Sequence, residues 1–241
     1  MVARDMKLRY KRSILGVAWS LINPLVQLLV LQLIFGVVLN LDIPNYSVFL
    51  FTGLLVWTWF QSGLFSAAGV IVDNPDLIKR PGFPVAILPI VTVTTHLVHF
   101  LLALPILFGF LIFSGVQVTT VVLVLPLIIL LQFLLTLSLS YFVAAAHVNF
   151  RDTQYLLGII LLLGFYLSPI FYNISVIPES YRWLYYLNPM VSLIESYRTV
   201  LMQGQLPSLL PSFILLGMSL VILILGHSIF TRVSYKFVEE I

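Results

Sequence analysis

The sequence of 241 residues contains no cysteine, and charged residues make up only 9% of it. Without cysteine, the chain has no disulfides, no thiolate metal site and no thiol nucleophile. Soluble domains carry about 25% charged residues, so this chain cannot cover itself with a hydrated surface. Hydrophobic residues reach 61%, and the mean hydropathy is +1.10. Because helices satisfy their own backbone in lipid, the sequence predicts an all-α integral membrane protein.

Carboxylates are absent from the apolar runs, since every Asp and Glu falls in a predicted loop or at a helix end. Ion-coupled transporters and intramembrane hydrolases generally need buried ionisable groups, so both classes lose support. The sequence also lacks a phosphate-binding Gly-x-x-x-x-Gly-Lys-Ser/Thr motif, a His-Glu-x-x-His motif and a Gly-x-Ser-x-Gly motif. We therefore predict no cofactor or metal in this chain, and no ATP binding by a P-loop.

Six apolar runs are long enough to cross a bilayer, which takes about 20 residues per helix. They cover residues 14–41, 46–72, 85–114, 118–148, 154–172 and 208–230. If the N-terminus is cytosolic, ten of the twelve Lys and Arg residues lie on the cytosolic side. The bias of positive charge toward the inside therefore predicts that both termini are cytoplasmic.

Residues 1–13 hold five of the basic residues and form a predicted amphipathic helix at the cytosolic interface. The interface residues are Arg4, Asp5, Lys7, Arg9, Tyr10, Lys11 and Arg12. Anionic lipid headgroups suit such a helix better than nucleic acid, because the basic residues lie at the ends of apolar runs without a stripe of stacking aromatics. Alternatively, the string only sets the topology.

The loop after the second run has the features of a short, charged helix over residues 74–81. Asn74 is a candidate cap before Pro75, and Asp76 suits the first turn. Lys79 and Arg80 suit the last turn. A plain connector needs none of these features, so the segment is predicted to be a cytosolic docking surface, with an ordinary capped loop as the alternative.

Two further short helices are predicted on the outer side, over residues 178–203, before the last run. Each is too short to span, which indicates re-entrant or interfacial helices. Asn188 and Pro189 mark the start of the second helix, and Glu195 and Arg198 have the i,i+3 spacing of an ion pair. Trp183, Tyr185 and Tyr186 would also suit an ordinary aromatic belt.

Two sets of side chains are candidates for lining a passage. Ser20, Asn23 and Gln27 share one face of the first run, and a polar stripe in lipid must face protein or water. Tyr166, Phe171 and Tyr172 supply aromatic rings in the fifth run. Helix packing alone also explains both sets.

His96 and His99 in the third run are predicted to hydrogen-bond between helices, because two imidazoles without a third ligand make a poor metal site. A base in an intramembrane enzyme acting on lipid-linked sugars is the alternative.

The N-terminal string extends from Arg4-Asp5 through Arg9-Tyr10-Lys11-Arg12-Ser13, Leu15-Gly16 and Trp19 to Asn23-Pro24. It resembles the signature of type-2 ABC exporter permeases that move lipid-linked polysaccharides, the O-antigen, capsule and teichoic acid class. The likeness continues through Arg151-Asp152 after the fourth run and Asn188-Pro189 before the sixth.

This resemblance implies a transmembrane domain over residues 14–241 that forms a homodimer and recruits two separate ATPase subunits, which bind ATP and Mg. It implies contact with the ATPase through Asp73, Asn74, Pro75, Asp76, Leu77, Ile78, Lys79, Arg80, Arg151 and Asp152. The first and fifth runs would line a channel, and residues 178–203 would form its external gate. The implied substrate is a lipid-linked glycan crossing the bacterial inner membrane. Export of a small drug or lipid is the alternative.

Overall fold

The computed structural model describes residue 2 and residues 19–237, apart from the side chains of Ser20 and Lys236. Arg4, Asp5, Lys7, Arg9, Tyr10, Lys11 and Arg12, the residues of the predicted interface helix, lie outside the described residues. Residues 19–237 form helices and connections without a strand, as predicted. The helices are α1 (Trp19–Leu31), α2 (Tyr46–Gly69), α3 (Pro75–Ile78), α4 (Ile87–Phe113), α5 (Leu125–Asn149), α6 (Thr153–Leu167), α7 (Glu179–Tyr186), α8 (Pro189–Arg198) and α9 (Leu209–Val233).

Five segments of the described chain are long and apolar enough to cross a membrane. They are Leu21–Val38, Tyr46–Gly69, Ile87–Phe113, Thr120–Asn149 and Leu209–Val233. The first joins α1 to a wider π-helical stretch (Gln32–Val38), and the fourth joins a 3-10 turn (Thr120–Val124) to α5. These segments confirm a multi-pass helical architecture.

The fifth predicted run, residues 154–172, forms a shorter helix than its apolar length suggests. Helix α6 has 15 residues, about 22 Å at 1.5 Å per residue, against about 30 Å of hydrocarbon. It ends at Leu167 because Ser168 precedes Pro169 and adopts an extended backbone, with ψ of 145°. The prediction of six spans is therefore neither confirmed nor excluded by helix length.

Helix α2 is the centre of the bundle. It contacts α1, α4, α5, α6 and α8, and most of its residues are buried, including Trp57 and Trp59. Helices α6 and α9 instead carry many exposed leucines and isoleucines, as expected of surfaces that face lipid or another subunit. The chain is thus organised around one enclosed helix.

The two ends of the bundle hold different segments. At one end, Ile71, Ile78, Val148, Phe230 and Phe237 belong to one apolar cluster, which brings together α3, the end of α5 and the end of α9. The unwound stretch after α6 and helices α7 and α8 gather at the other end, beside the start of α2. Among the described residues, the loop after α2, the end of α5 and the end of α9 therefore lie together at one end of the bundle.

Candidate functional site

Helix α3 presents a charged surface on an apolar foundation. Ile78 is buried in the cluster defined above, whereas the Asp76, Lys79 and Arg80 side chains are exposed. The phenol of Tyr141 on α5 donates to the Ala86 carbonyl at 3.0 Å, which fixes the chain that follows α3. The charged groups therefore project from a turn that is anchored by the buried Ile78 side chain and, in the chain that follows, by the Tyr141 hydrogen bond.

Two details of the predicted charged helix are wrong. It is a single turn, Pro75–Ile78, and does not extend over residues 74–81. The Asn74 side chain does not cap it, because its Nδ2 atom donates back to the Val70 carbonyl at 2.8 Å. Lys79 occupies the position just after the helix, where its backbone N–H donates to the Pro75 carbonyl at 3.0 Å. The turn is consequently closed by backbone bonds and by Pro75 at its start.

Arg151 and Asp152 occupy the tight connection between α5 and α6, and both side chains are exposed. Val148, at the end of α5, packs in the same apolar cluster as Ile78. The fold therefore brings this connection and α3 to one end of the bundle, although they are far apart in sequence. Asp73 is also exposed at this end.

The opposite end is organised around the unwound segment 168–171, which side chains of two helices hold in place. The amide of Asn188 donates to the Ser168 hydroxyl at 2.9 Å. The Tyr46 hydroxyl donates to the Phe171 carbonyl at 2.9 Å. The carbonyls between them, of Pro169 and Ile170, both accept from Arg198, at 2.6 and 2.8 Å.

Arg198 is the only buried Arg or Lys in the part of the chain that the structure describes, and it is 2% exposed. Besides the unwound segment, its guanidinium donates to the Phe49 carbonyl at 3.2 Å and lies 3.3 Å from the centre of the Phe49 ring. It thereby joins α8, the start of α2 and the unwound segment. Gly53 makes room for it, because a Cβ there would lie 2.9 Å from Nη2.

Glu195 completes this site as predicted from its i,i+3 spacing, with Oε1 3.2 Å from Arg198 Nη1. Burial lowers the pKa of the Arg198 guanidinium, and the Glu195 carboxylate acts in the opposite direction. The sequence did predict this pair. However, the i,i+3 spacing did not show whether the Arg198 guanidinium would be buried against three backbone carbonyls or would form an ion pair at the surface.

The predicted start of α8 is confirmed. The Asn188 side chain accepts from the Met190 N–H at 3.0 Å, and Pro189 occupies the first helical position. Of the predicted gate aromatics, Trp183 and Tyr186 are exposed and Tyr185 is half-buried. Helix α7 thus presents aromatic rings outward from the bundle, whereas α8 is packed into it.

The aromatic residues predicted to line a passage form a cluster with Phe35, in the π-helical stretch that follows α1. Phe171 stacks on Phe35 with ring centres 4.8 Å apart and contacts Tyr166 and Tyr172 edge-on. The Tyr172 hydroxyl donates to the Tyr166 carbonyl at 3.1 Å. The structure therefore brings together the ends of the first and fifth predicted runs at aromatic rings.

The polar stripe of α1 is oriented outward from this subunit, because Asn23 and Gln27 are both exposed. The Ser20 side chain is outside the described residues. Two polar side chains in lipid need a protein or water partner, and these two are exposed on this subunit. His96, by contrast, is buried, with Nε2 3.0 Å from the Ser66 hydroxyl, which confirms the predicted interhelical hydrogen bond.

These features define a class of protein, a multi-pass helical membrane protein with a charged turn at one end of the bundle and a packed short helix, α8, at the other. Comparison with known proteins identifies the family. The family model of the ABC-2 type transporter matches residues 1–202. The chain therefore belongs to the ABC-2 type transporter family, which confirms the resemblance of the N-terminal string.

Individual relatives are similar along nearly the whole chain. The O-antigen export system permease protein RfbA of Myxococcus xanthus is 39% identical, with 100% of this chain and 94% of the relative covered. A protein of the same name from Klebsiella pneumoniae is 35% identical, with 98% and 91% covered. The polysialic acid transport protein KpsM of Escherichia coli is 27% identical, with 94% and 89% covered.

Proposed function

We propose that this chain is the permease subunit of an ATP-driven exporter that moves a lipid-linked polysaccharide across the bacterial inner membrane. The substrate is an O-antigen, capsular polysaccharide or teichoic acid. The observation that carries the proposal is the similarity to O-antigen export permeases over the full chain, at 39% identity. Two copies of the chain form the membrane part, and two separate ATPase subunits bind ATP and Mg.

The coupling surface consists of α3 and the connection between α5 and α6, that is Asp73–Arg80 in sequence, with Arg151 and Asp152. Both segments lie at the same end of the bundle, and their charged side chains are exposed. Ile78 packs in the apolar cluster with α5 and α9, so a force on the charged turn reaches the helices behind it. Residues 1–13 form an interface helix near the same ATPase.

This coupling end is cytosolic, with both termini on that side. Lys79, Arg80, Arg151 and Arg232 all lie there, whereas Arg182 and Arg198 lie at the other end. The positive-inside bias supports this orientation.

The glycan path runs along the polar face of α1 and then along the aromatic cluster between the π-helical stretch after α1 and the end of α6. Phe35 and Phe171 contribute stacked rings, which suit the apolar faces of sugar rings. Residues 178–203, with the packed helix α8 and the outward aromatic rings of α7, form the external gate. The transmembrane domain covers residues 14–241.

The proposal is tested by deleting the gene and measuring glycan at the cell surface. Surface glycan is expected to disappear while lipid-linked glycan accumulates inside, and expression of this chain is expected to restore export. In the purified complex, glycan-bearing lipid should change ATPase activity more than small drugs or ordinary lipids do. A response to drugs with unchanged surface glycan would favour the alternative, a small-molecule exporter.

The coupling surface is tested by reversing three charges together, Asp76→Lys, Lys79→Glu and Arg80→Glu. These groups are exposed, so the variant should fold, but it should lose co-purification with the ATPase and glycan export. The matched control reverses the exposed pair at the other end, Glu179→Lys with Arg182→Glu, which should retain the ATPase. Normal assembly and export in the triple variant would contradict the assignment.

A further inference from the structure

Three successive carbonyls of the unwound segment receive their hydrogen bonds from side chains of other helices. Because this segment follows the end of α6, no helical N–H is available to these carbonyls. Arg198 donates to the Pro169 carbonyl at 2.6 Å and to the Ile170 carbonyl at 2.8 Å. The Tyr46 hydroxyl donates to the third carbonyl, that of Phe171, at 2.9 Å. Ile170 is completely buried, so water cannot replace its partner, and the course of the segment depends on the two side chains.

Arg198 uses the full donor capacity of its side chain in this position. A guanidinium carries five N–H donors. Those of Arg198 make five hydrogen bonds, two to the Phe49 carbonyl and one each to the Pro169 carbonyl, the Ile170 carbonyl and the Glu195 carboxylate. An apolar side chain would pack α8 against α2 without the desolvation cost of a buried guanidinium. What the guanidinium adds is direction, because its planar fork fixes the carbonyls of two separate segments in one geometry.

Helix α8 holds the unwound segment at two points. The Asn188 amide, at the start of the helix, donates to the Ser168 hydroxyl at 2.9 Å. Arg198, the last residue of the helix, donates to the two carbonyls that follow Ser168 in the chain. Because both bonds come from one helix, the unwound segment should follow α8 when that helix moves.

Hydrogen bonds fix the peptide groups on both sides of Phe171. The Ile170 carbonyl belongs to the planar peptide before Phe171, and the Phe171 carbonyl belongs to the one after it. Arg198 bonds to the first and Tyr46 to the second, so the backbone of Phe171 is held from two helices. The Phe171 ring in turn stacks on Phe35, with ring centres 4.8 Å apart and 26° between the ring planes.

We propose that Arg198 is a positioning residue of the glycan path, which holds the Phe171 ring against Phe35 and links the place of this ring to that of α8. The inference rests on the proposed function, in which these two rings line the path. Arg198 itself is buried and acts through the backbone of Phe171.

Cross-linking between positions 35 and 171 measures this role directly, since the chain has no native thiols. Phe35→Cys and Phe171→Cys are combined in the full chain, which is co-expressed with the partner ATPase, and isolated membranes are treated with a short bifunctional methanethiosulfonate. A maleimide mass tag then counts the thiols left free. Links between two chains are recognised by their size and left out. The yield of links within one chain reports how closely the two backbones are held.

Replacing Arg198 by methionine keeps a long side chain but removes all its donors. We expect the cross-linking yield to fall several-fold in Arg198→Met and by less in Arg198→Lys, because one ammonium keeps the charge and some of the donors. Arg182→Met should leave the yield unchanged, since this arginine bonds to the Ser175 and Ile177 carbonyls instead. An unchanged yield in Arg198→Met would overturn the proposal.

A destabilised control separates positioning from a general loss of stability. Gly226→Ala places a Cβ 2.8 Å from the Phe142 ring and 3.0 Å from the Ser138 carbonyl, between α9 and α5. This variant should lower Tm but leave the cross-linking yield as it is without the substitution. If the yield falls equally in Gly226→Ala and Arg198→Met, Arg198 acts only through overall stability and the proposal fails.

Export by chains with the native Phe35 gives the functional readout. Phe171→Ala and Arg198→Lys should each reduce surface glycan several-fold, and the double variant should resemble Phe171→Ala alone, because the arginine acts through that ring. Losses that multiply in the double variant would contradict this route. If surface glycan does not depend on the chain at all, the proposed function fails, whereas the cross-linking still tests how Phe171 is positioned.

Discussion

Replacing Arg198 by alanine removes the cation that joins α8, the start of α2 and the unwound segment 168–171. The side chain donates to the backbone carbonyls of Phe49, Pro169 and Ile170 and to Glu195, and it is 2% exposed. Loss of a donor costs about 1–3 kcal/mol for each buried acceptor left without a partner. The Glu195 side chain is 31% exposed, so the loss of its ion pair adds only about 0–1 kcal/mol. Because these terms overlap, we expect Arg198→Ala to lower the free energy of unfolding by about 3–5 kcal/mol.

Arg182 provides a control that makes fewer bonds of the same kinds at higher exposure. It donates to the Ile177 and Ser175 carbonyls and pairs with Glu179 at i−3, but its side chain is 34% exposed. Water can replace these partners, so Arg182→Ala should cost about 0–1 kcal/mol. The comparison therefore tests whether the buried contacts of Arg198 stabilise the protein more than the partly exposed contacts of Arg182.

In the assay, the detergent-purified permease is heated, and the fraction that remains folded is then measured by size-exclusion chromatography. By the scaling for domains of this size, Tm should fall by about 10 °C in Arg198→Ala and by less than about 4 °C in Arg182→Ala. Arg198→Lys should be intermediate, because one ammonium keeps the charge but lacks the planar fork that reaches several carbonyls. Equal losses in the two alanine variants would refute the reasoning that burial makes Arg198 important.

Three further predictions concern packing and capping. Gly53→Ala should destabilise the protein by about 1–3 kcal/mol in the same unfolding assay, because the new Cβ would lie 2.9 Å from Arg198 Nη2. Gly109→Ala is the control: a Cβ there would meet no atom within 4 Å, so this variant should be neutral or stabilising. Asn188→Ala should cost about 1–2 kcal/mol, because both the cap to α8 and the bond to the unwound segment are lost; an unchanged Tm would contradict this. Ile78→Asp should abolish ATPase co-purification and lower Tm, since it places a carboxylate in the apolar cluster; retained binding would show that α3 does not depend on that packing.

Local rules predicted the start of α8 but only part of α3. At α8, Asn188 and Pro189 act within one helical turn, and the structure has the predicted cap. At α3, Asn74 had the same signature, yet its side chain bonds backward to Val70 because the end of α2 supplies a nearer acceptor. A capping signature alone does not show which of two neighbouring helices the side chain will bond.

Most contacts of the Arg198 side chain could not be predicted from the sequence. Its pairing with Glu195 follows from i,i+3 spacing, but its backbone partners at Phe49 and Pro169 are 149 and 29 residues away. Gly53, among the larger residues of the first half of α2, was a signal of a close approach. The partners depend on where α6 unwinds and how α8 packs against α2.

The sequence by itself determined that the chain is a helical membrane protein, which segments are apolar, where charge accumulates and which family it resembles. These properties follow from transfer of side chains into lipid and from spacing within single helices, so they are encoded locally. Only the tertiary structure decided that α2 is the enclosed helix and that a buried guanidinium joins three segments at the end of the bundle opposite α3. These depend on contacts between helices distant in sequence, whose energies are set by packing and desolvation at a particular depth.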